Sequence, residues 1–116
     1  MYEIIAELEH SSIVRQAEII NLINEPDLQV LYLKASLSDG SVLYVRETVT
    51  PTSDKYSYHW QTADGQLIRR WDNAPHWPAV HTYPHHCHVG RPDNVLPSDR
   101  PTISDVIQYL TEQIAK

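Results

Sequence analysis

Residues Leu28–Trp71 read LQVLYLKASLSDGSVLYVRETVTPTSDKYSYHWQTADGQLIRRW, and two Asp-Gly pairs within that stretch decide the fold. The run Leu28–Leu37 alternates around Leu31, Leu33 and Ala35, stops at Ser38-Asp39-Gly40-Ser41, and gives way to a β-branched run over Val42–Val49. Alternation of period two marks a half-buried strand. Asp-Gly between two such runs predicts a hairpin closed by a type I′ turn, which needs positive φ at both central residues. The signature returns at once as Tyr56–Thr62, then Ala63-Asp64-Gly65-Gln66, then Leu67–Trp71. Two successive hairpins predict an antiparallel meander of at least four strands.

Upstream, Ile13–Ile23 is dense in β-branched residues and ends at the turn cluster Asn24-Glu25-Pro26-Asp27, so a further strand is expected there. Tyr2–His10 places Ile4, Ile5 and Leu8 at helical spacing, which predicts a short N-terminal helix. Beyond Trp71, prolines 75, 78, 84, 92, 97 and 101 break the pattern and predict a long irregular segment. Its histidines, with Trp77 and Tyr83, mark it as a packed site loop rather than a disordered one. Thr102-Ile103-Ser104-Asp105 then resembles a capping box with Asp in place of Glu. Ile103, Val106, Ile107, Leu110 and Ile114 line one stripe of a C-terminal helix over roughly Ile103–Ala115, expected to pack on the sheet. The expected class is therefore α+β, one domain spanning residues 1–116.

Composition bounds the function. A chain of 116 residues holds one modest core. No stretch approaches the roughly 20 apolar residues of a membrane span, and Met1–His10 carries three glutamates with neither Lys nor Arg, unlike a signal peptide. A cytoplasmic protein is expected. The single cysteine, Cys87, excludes an internal disulfide. The net charge of −6 argues against nonspecific duplex binding unless basic groups gather on one face. A Gly-rich phosphate loop and a Gly-x-Ser-x-Gly elbow are both lacking, which leaves kinase and serine-hydrolase readings without footing.

Six of the seven histidines are His59, His76, His81, His85, His86 and His88. Imidazole is suited to proton transfer near neutrality. Arg69-Arg70-Trp71-Asp72-Asn73-Ala74-Pro75-His76 adds cation, carboxylate and amide where a strand meets the loop, a position at which the sheet fixes side chains within reach of solvent. Turn chemistry would equally account for Asp72-Asn73. Alternation in Tyr56-Ser57-Tyr58-His59-Trp60 points the three aromatics to the core and His59 to the opposite face, near the strand that carries Arg69 and Trp71. Arg46 and Glu47, on the preceding strand, could reach the same neighbourhood, although an exposed Arg-Glu pair is more often only a solvated face. His85-His86-Cys87-His88 offers metal-type ligands, yet its spacing matches no standard zinc pattern, so no metal and no cofactor is expected.

Tyr56-Ser57-Tyr58-His59-Trp60-Gln61, Asp64-Gly65, Arg70-Trp71-Asp72-Asn73-Ala74-Pro75-His76 and Pro84-His85-His86-x-His88-Val89 together resemble the TumE family of small prokaryotic proteins. The resemblance covers roughly Leu28–Leu110. It implies the toxin half of a two-gene module whose neighbouring gene encodes a helix-turn-helix antitoxin, and by analogy with other small toxins it implies RNA cleavage. The family pattern falls on His59, Arg70, Asp72, Asn73, His76, His85, His86 and His88. A metal-independent ribonuclease can be assembled from these residues. His59 and either His86 or His88 would move protons, Arg70 would stabilise the phosphate, and Tyr58 or Trp71 would stack on a base. Asp72 and His76 complete the expected catalytic set; Asn73 and His85 would contact substrate. Two other readings stay open. One is a noncatalytic protein-binding module, for which a homo-oligomer is also compatible. The other is a metal-dependent hydrolase in which three of these residues meet around an open coordination position.

Overall fold

A computed structural model describes residues 1–116. The chain forms helix α1 (Tyr2–His10), strands β1 (Val14–Glu25), β2 (Leu28–Leu37), β3 (Val42–Thr50), β4 (Ser53–Gln61), β5 (Leu67–Asp72), β6 (His86–Val89) and β7 (Val95–Pro97), and helix α2 (Ile103–Ile114). The strands make one seven-stranded sheet in sequence order, every neighbouring pair antiparallel. This is the expected α+β meander with a helix at each end, extended beyond four strands.

The two Asp-Gly turns differ in type from the expectation. Gly40 and Gly65 have φ of +89° and +94°, but no non-glycine residue has positive φ, so Asp39 and Asp64 are not left-handed. Instead the Gly40 amide donates to the Leu37 carbonyl while the Leu37 amide donates to Ser41, and Gly65, Thr62 and Gln66 repeat the pattern. This is a type I turn followed by one left-handed glycine, the three-residue hairpin loop, which needs positive φ at one position only. The larger correction lies downstream. His86–Val89 and Val95–Pro97, placed above in an irregular segment, are strands, because prolines at the boundaries of short strands near a sheet edge cost no ladder bond.

Register assigns every strand residue to one of two faces. The row Leu33–Val45–Tyr58–Trp71–Cys87 crosses five strands. All five residues are buried, in one core with Ile4 and Leu8 of α1 and Ile103, Val106 and Leu110 of α2. Both helices therefore contribute to the core on this one face. The α2 stripe is anchored by a complete capping box: Thr102 Oγ1 accepts from the Asp105 amide at 3.1 Å and Asp105 Oδ2 accepts from the Thr102 amide at 2.9 Å. No helix is long and apolar enough to cross a membrane.

Tyr58 and Trp71 belong to this core, which corrects the expectation that they stack on a base. Each is at most 5% exposed. The Tyr58 hydroxyl donates to Glu47 Oε2 at 2.8 Å, and Trp71 meets Tyr109 of α2 edge to face at 5.5 Å. Burial, then Glu47, raises the Tyr58 pKa. Cys87 points the same way, with its Sγ 3.4 Å from Arg69 Nη2. Alternation thus separates the thiol from His86 and His88.

Candidate functional site

The opposite face carries two rows of polar residues. Register aligns Tyr32–Arg46–Ser57–Asp72–His86 and, one step along, Lys34–Tyr44–His59–Arg70–His88. Each strand contributes its non-core parity, so residues as distant in sequence as Tyr32 and His86 lie in one row. Four residues that the sequence reading singled out separately, Arg70, Asp72, His86 and His88, converge on one point.

Asp72 is the centre of that point. Its side chain is buried, and the carboxylate accepts from Arg70 Nε at 2.9 Å and from the Ala74 amide at 3.0 Å. His86 Nε2 lies 3.0 Å from Asp72 Oδ1, His88 Nε2 lies 3.3 Å from Oδ2, and the two Nε2 atoms are 3.1 Å apart. The other ring nitrogens are held from behind. His86 Nδ1 is 2.9 Å from the Pro84 carbonyl oxygen and His88 Nδ1 is 2.7 Å from that of Pro92. A carbonyl oxygen only accepts, so both Nδ1 atoms carry hydrogen and both rings turn Nε2 towards the carboxylate. Two N–H groups cannot face each other across 3.1 Å, so at least one Nε2 presents a bare lone pair. Asp72, His86 and His88 are accordingly a geometrically close set of metal-type ligands.

His59 sits one strand away. Its Nδ1 lies 3.2 Å from Arg70 Nη1. Guanidinium only donates, so this nitrogen accepts and the neutral ring keeps its hydrogen on Nε2. Burial, and next the charge of Arg70, hold its pKa below the usual histidine value. His59 is thus a neutral ring that orients Arg70 and offers one N–H.

Three cavities follow one another over this face. The first, about 520 Å³, is lined by Arg46, Lys55, Arg70, Asp72, Asn73 and His76 among others. The second includes Tyr32, Tyr44, Arg46, His59 and Arg70, and the third, about 670 Å³, includes His59, Arg70, His88 and Arg91. Shared walls at Arg46, His59 and Arg70 make them one trough. Four of the chain's nine cations line it, Arg46, Lys55, Arg70 and Arg91, but of its 15 acids only Asp72 does. A chain of net charge −6 therefore gathers basic groups on one face, the condition that composition alone left open.

The remaining expected residues fall into two groups. Asn73 lines the first cavity, but its amide also ties strand ends together: Oδ1 accepts from the Tyr56 amide at 3.1 Å and Nδ2 donates to the Asp54 carbonyl at 2.8 Å. His76 is exposed at the mouth of the same cavity. His85 lines none of the three cavities; it stacks on Tyr56 with its Nδ1 3.0 Å from the hydroxyl. Burial of Tyr56 pushes that hydroxyl's pKa up to about 12, and Arg100 over the ring opposes the rise.

Tyr32 and Tyr44 were missed by the sequence reading. Their rings lie 6.2 Å apart on the open face, and Arg46 sits 3.9 Å over Tyr32. The signal was present, since both alternate against the core residues Leu31, Leu33, Leu43 and Val45. Both rings line the second cavity, unlike Tyr58 and Trp71.

Fold and site define a small α+β protein that carries a buried carboxylate–imidazole centre in a basic trough on the open face of a meander sheet. The chain belongs to the TumE family: it matches the family described as Toxin TumE over residues 2–114. No curated protein and no solved structure matches it.

Proposed function

We propose that this toxin cleaves single-stranded RNA in the trough around Arg70, and that it is held in check by a helix-turn-helix antitoxin encoded beside it. The observation that supports this reading is the meeting of Asp72, His86, His88 and Arg70 at the wall of a basic, partly aromatic trough. Cations that track a backbone, with aromatic rings between them, suit single-stranded nucleic acid. A noncatalytic docking surface would instead be flat and apolar, whereas this trough is walled mainly by polar side chains.

In the proposed reaction the ribose 2′-oxygen bonds to phosphorus as the P–O5′ bond breaks, leaving a 2′,3′-cyclic phosphate and a 5′-hydroxyl. The 2′ proton passes to the Asp72–His88 side, while Nε2–H of His59 donates a hydrogen bond to the departing 5′-oxygen, which takes its proton from water. Arg70, fixed by Asp72 and His59, faces the phosphate as its charge grows. His88 is the imidazole of the pair that meets substrate, its side chain being 11% exposed against 1% for His86. The sequence reading gave His59 and a second histidine interchangeable roles; with its Nδ1 taken by Arg70, His59 would meet the leaving oxygen as a neutral hydrogen-bond donor rather than as a charged acid.

The test is controlled expression of wild type and Asp72→Asn in a bacterial host, following growth and total RNA together. Arrest with RNA breakdown for wild type alone is expected. Arrest with intact RNA, or equal arrest by both proteins, would contradict the proposal.

A further inference from the structure

We infer that Asp72, His86 and His88 bind one divalent transition-metal ion of the zinc class, through one carboxylate and two imidazole Nε2 atoms. This deepens the reading of the same site as a reaction centre.

The case begins with what the three groups lack. Both Nδ1–H groups are spent on the Pro84 and Pro92 carbonyls, so the two rings can share at most one hydrogen between the Nε2 atoms that face Asp72. Each Nε2 lies 3.0–3.3 Å from one of the two carboxylate oxygens and the Nε2 atoms are 3.1 Å apart, so the ligand atoms of the three residues crowd one buried place. Such an arrangement calls for a positive charge among the atoms, a metal ion or a proton shared by the rings, and burial strengthens that demand. Arg70 does not fill this role, because its Nε is engaged with Asp72 Oδ2 and its Nη1 with His59 Nδ1, and no hydrogen bond joins it to His86 or His88.

Spacing then selects the cation. Ligand atoms bonded to a zinc-class ion at about 2.0–2.1 Å lie about 2.9–3.4 Å from one another at tetrahedral to octahedral angles. The contacts of His86 Nε2 with Oδ1, of His88 Nε2 with Oδ2 and between the two Nε2 atoms fall within that interval. The donor set of imidazole and carboxylate suits zinc, iron or nickel better than magnesium or calcium. The surroundings also follow the pattern of metal-bound histidine, in which the free ring N–H donates to a backbone carbonyl and the ligating carboxylate is itself hydrogen-bonded. Here Pro84 and Pro92 supply the carbonyls, and Ala74 and Arg70 hold the carboxylate. Three protein ligands leave further coordination positions open. Asp72 borders the first cavity and His88 the third, so those positions face the trough. With the ion bound, a water at that position would have its pKa lowered towards neutrality and would take over from the Asp72–His88 lone pairs as the base for the 2′ proton.

Local sequence spacing conceals this site. Asp72 lies 14 residues before His86, and the pairing of β5 with β6 is what brings them together.

The experiment is titration of chelator-treated wild type with Co²⁺ and Zn²⁺, read by visible absorption and calorimetry, with long-range ¹H–¹⁵N NMR of the zinc-loaded protein. One ion per chain is expected, with two imidazoles, His86 and His88, bound through Nε2 and protonated at Nδ1. His88→Gln should weaken binding by more than the ~10–100-fold that loss of an outer partner costs. A combined His76→Ala, His81→Ala, His85→Ala variant, which alters histidines outside the buried centre, should bind as wild type does. Absence of 1:1 binding by folded wild type, Nε2 coordination at other histidines, or loss of binding in the triple variant would overturn the inference. None of these readouts uses RNA. Metal bound without RNA cleavage would therefore sink the ribonuclease proposal and leave the metal site standing.

Discussion

Asp72 illustrates how much one side chain can hold together: two imidazoles, a guanidinium and a backbone amide all address its two oxygens. His59 shows a different kind of tuning. Its folded pKa lies below the usual 6.5, for which burial and then Arg70 are responsible. As pH falls through about 6.5 the unfolded chain takes the proton first, so the native state loses stability until the folded pKa is passed. His59→Gln removes that group. We expect the variant, in chelator, to lose less urea resistance than wild type between pH 7 and pH 5; parallel losses would show that His59 does not titrate as its surroundings dictate. The residues misread from sequence are equally informative. Tyr58 and Trp71 are amphipathic rings that suit a core or a base stack equally, and only the full register shows that α2 covers their face.

At the scale of elements, the meander was legible because alternation and turn residues are local signals: β1 to β5 and both helices lie where those signals put them. The capping box at Thr102 was legible for the same reason. Thr102→Ala should cost about 1 kcal/mol of stability through loss of the cap, measured by urea unfolding at constant slope; a change within error would mean that α2 is held by its apolar stripe alone. β6 and β7 were illegible because four- and three-residue strands fall below the length at which alternation can be distinguished from a proline-rich loop. The pairing of β5 with β6 spans residues 73–85, and no local pattern fixes register across such a gap. That gap is why Asp72, His86 and His88 could be chosen one by one yet not as a set. It is also why the spacing of the His-rich run, taken alone, argued against a metal.

Across the whole molecule, charge is sorted by face. The helices and core occupy one side of the sheet, and the trough on the other collects Arg46, Lys55, Arg70 and Arg91 against a single buried acid. If about three of these cations meet phosphates, the affinity for a single-stranded oligoribonucleotide should fall with salt at a log–log slope of about −2, at ~0.7 per phosphate. Lys55→Ala, away from the reacting centre, should reduce that slope by ~0.7; an unchanged slope would place the strand elsewhere. The central claim is that this face cuts RNA at the Asp72 centre. The most direct measurement incubates purified wild type and Asp72→Asn, each shown to unfold cooperatively, with an end-labelled single-stranded RNA and its DNA counterpart. The account predicts a 2′,3′-cyclic phosphate product from RNA and wild type alone, with the DNA left intact. Intact RNA with folded wild type, or equal cleavage by Asp72→Asn, would contradict it.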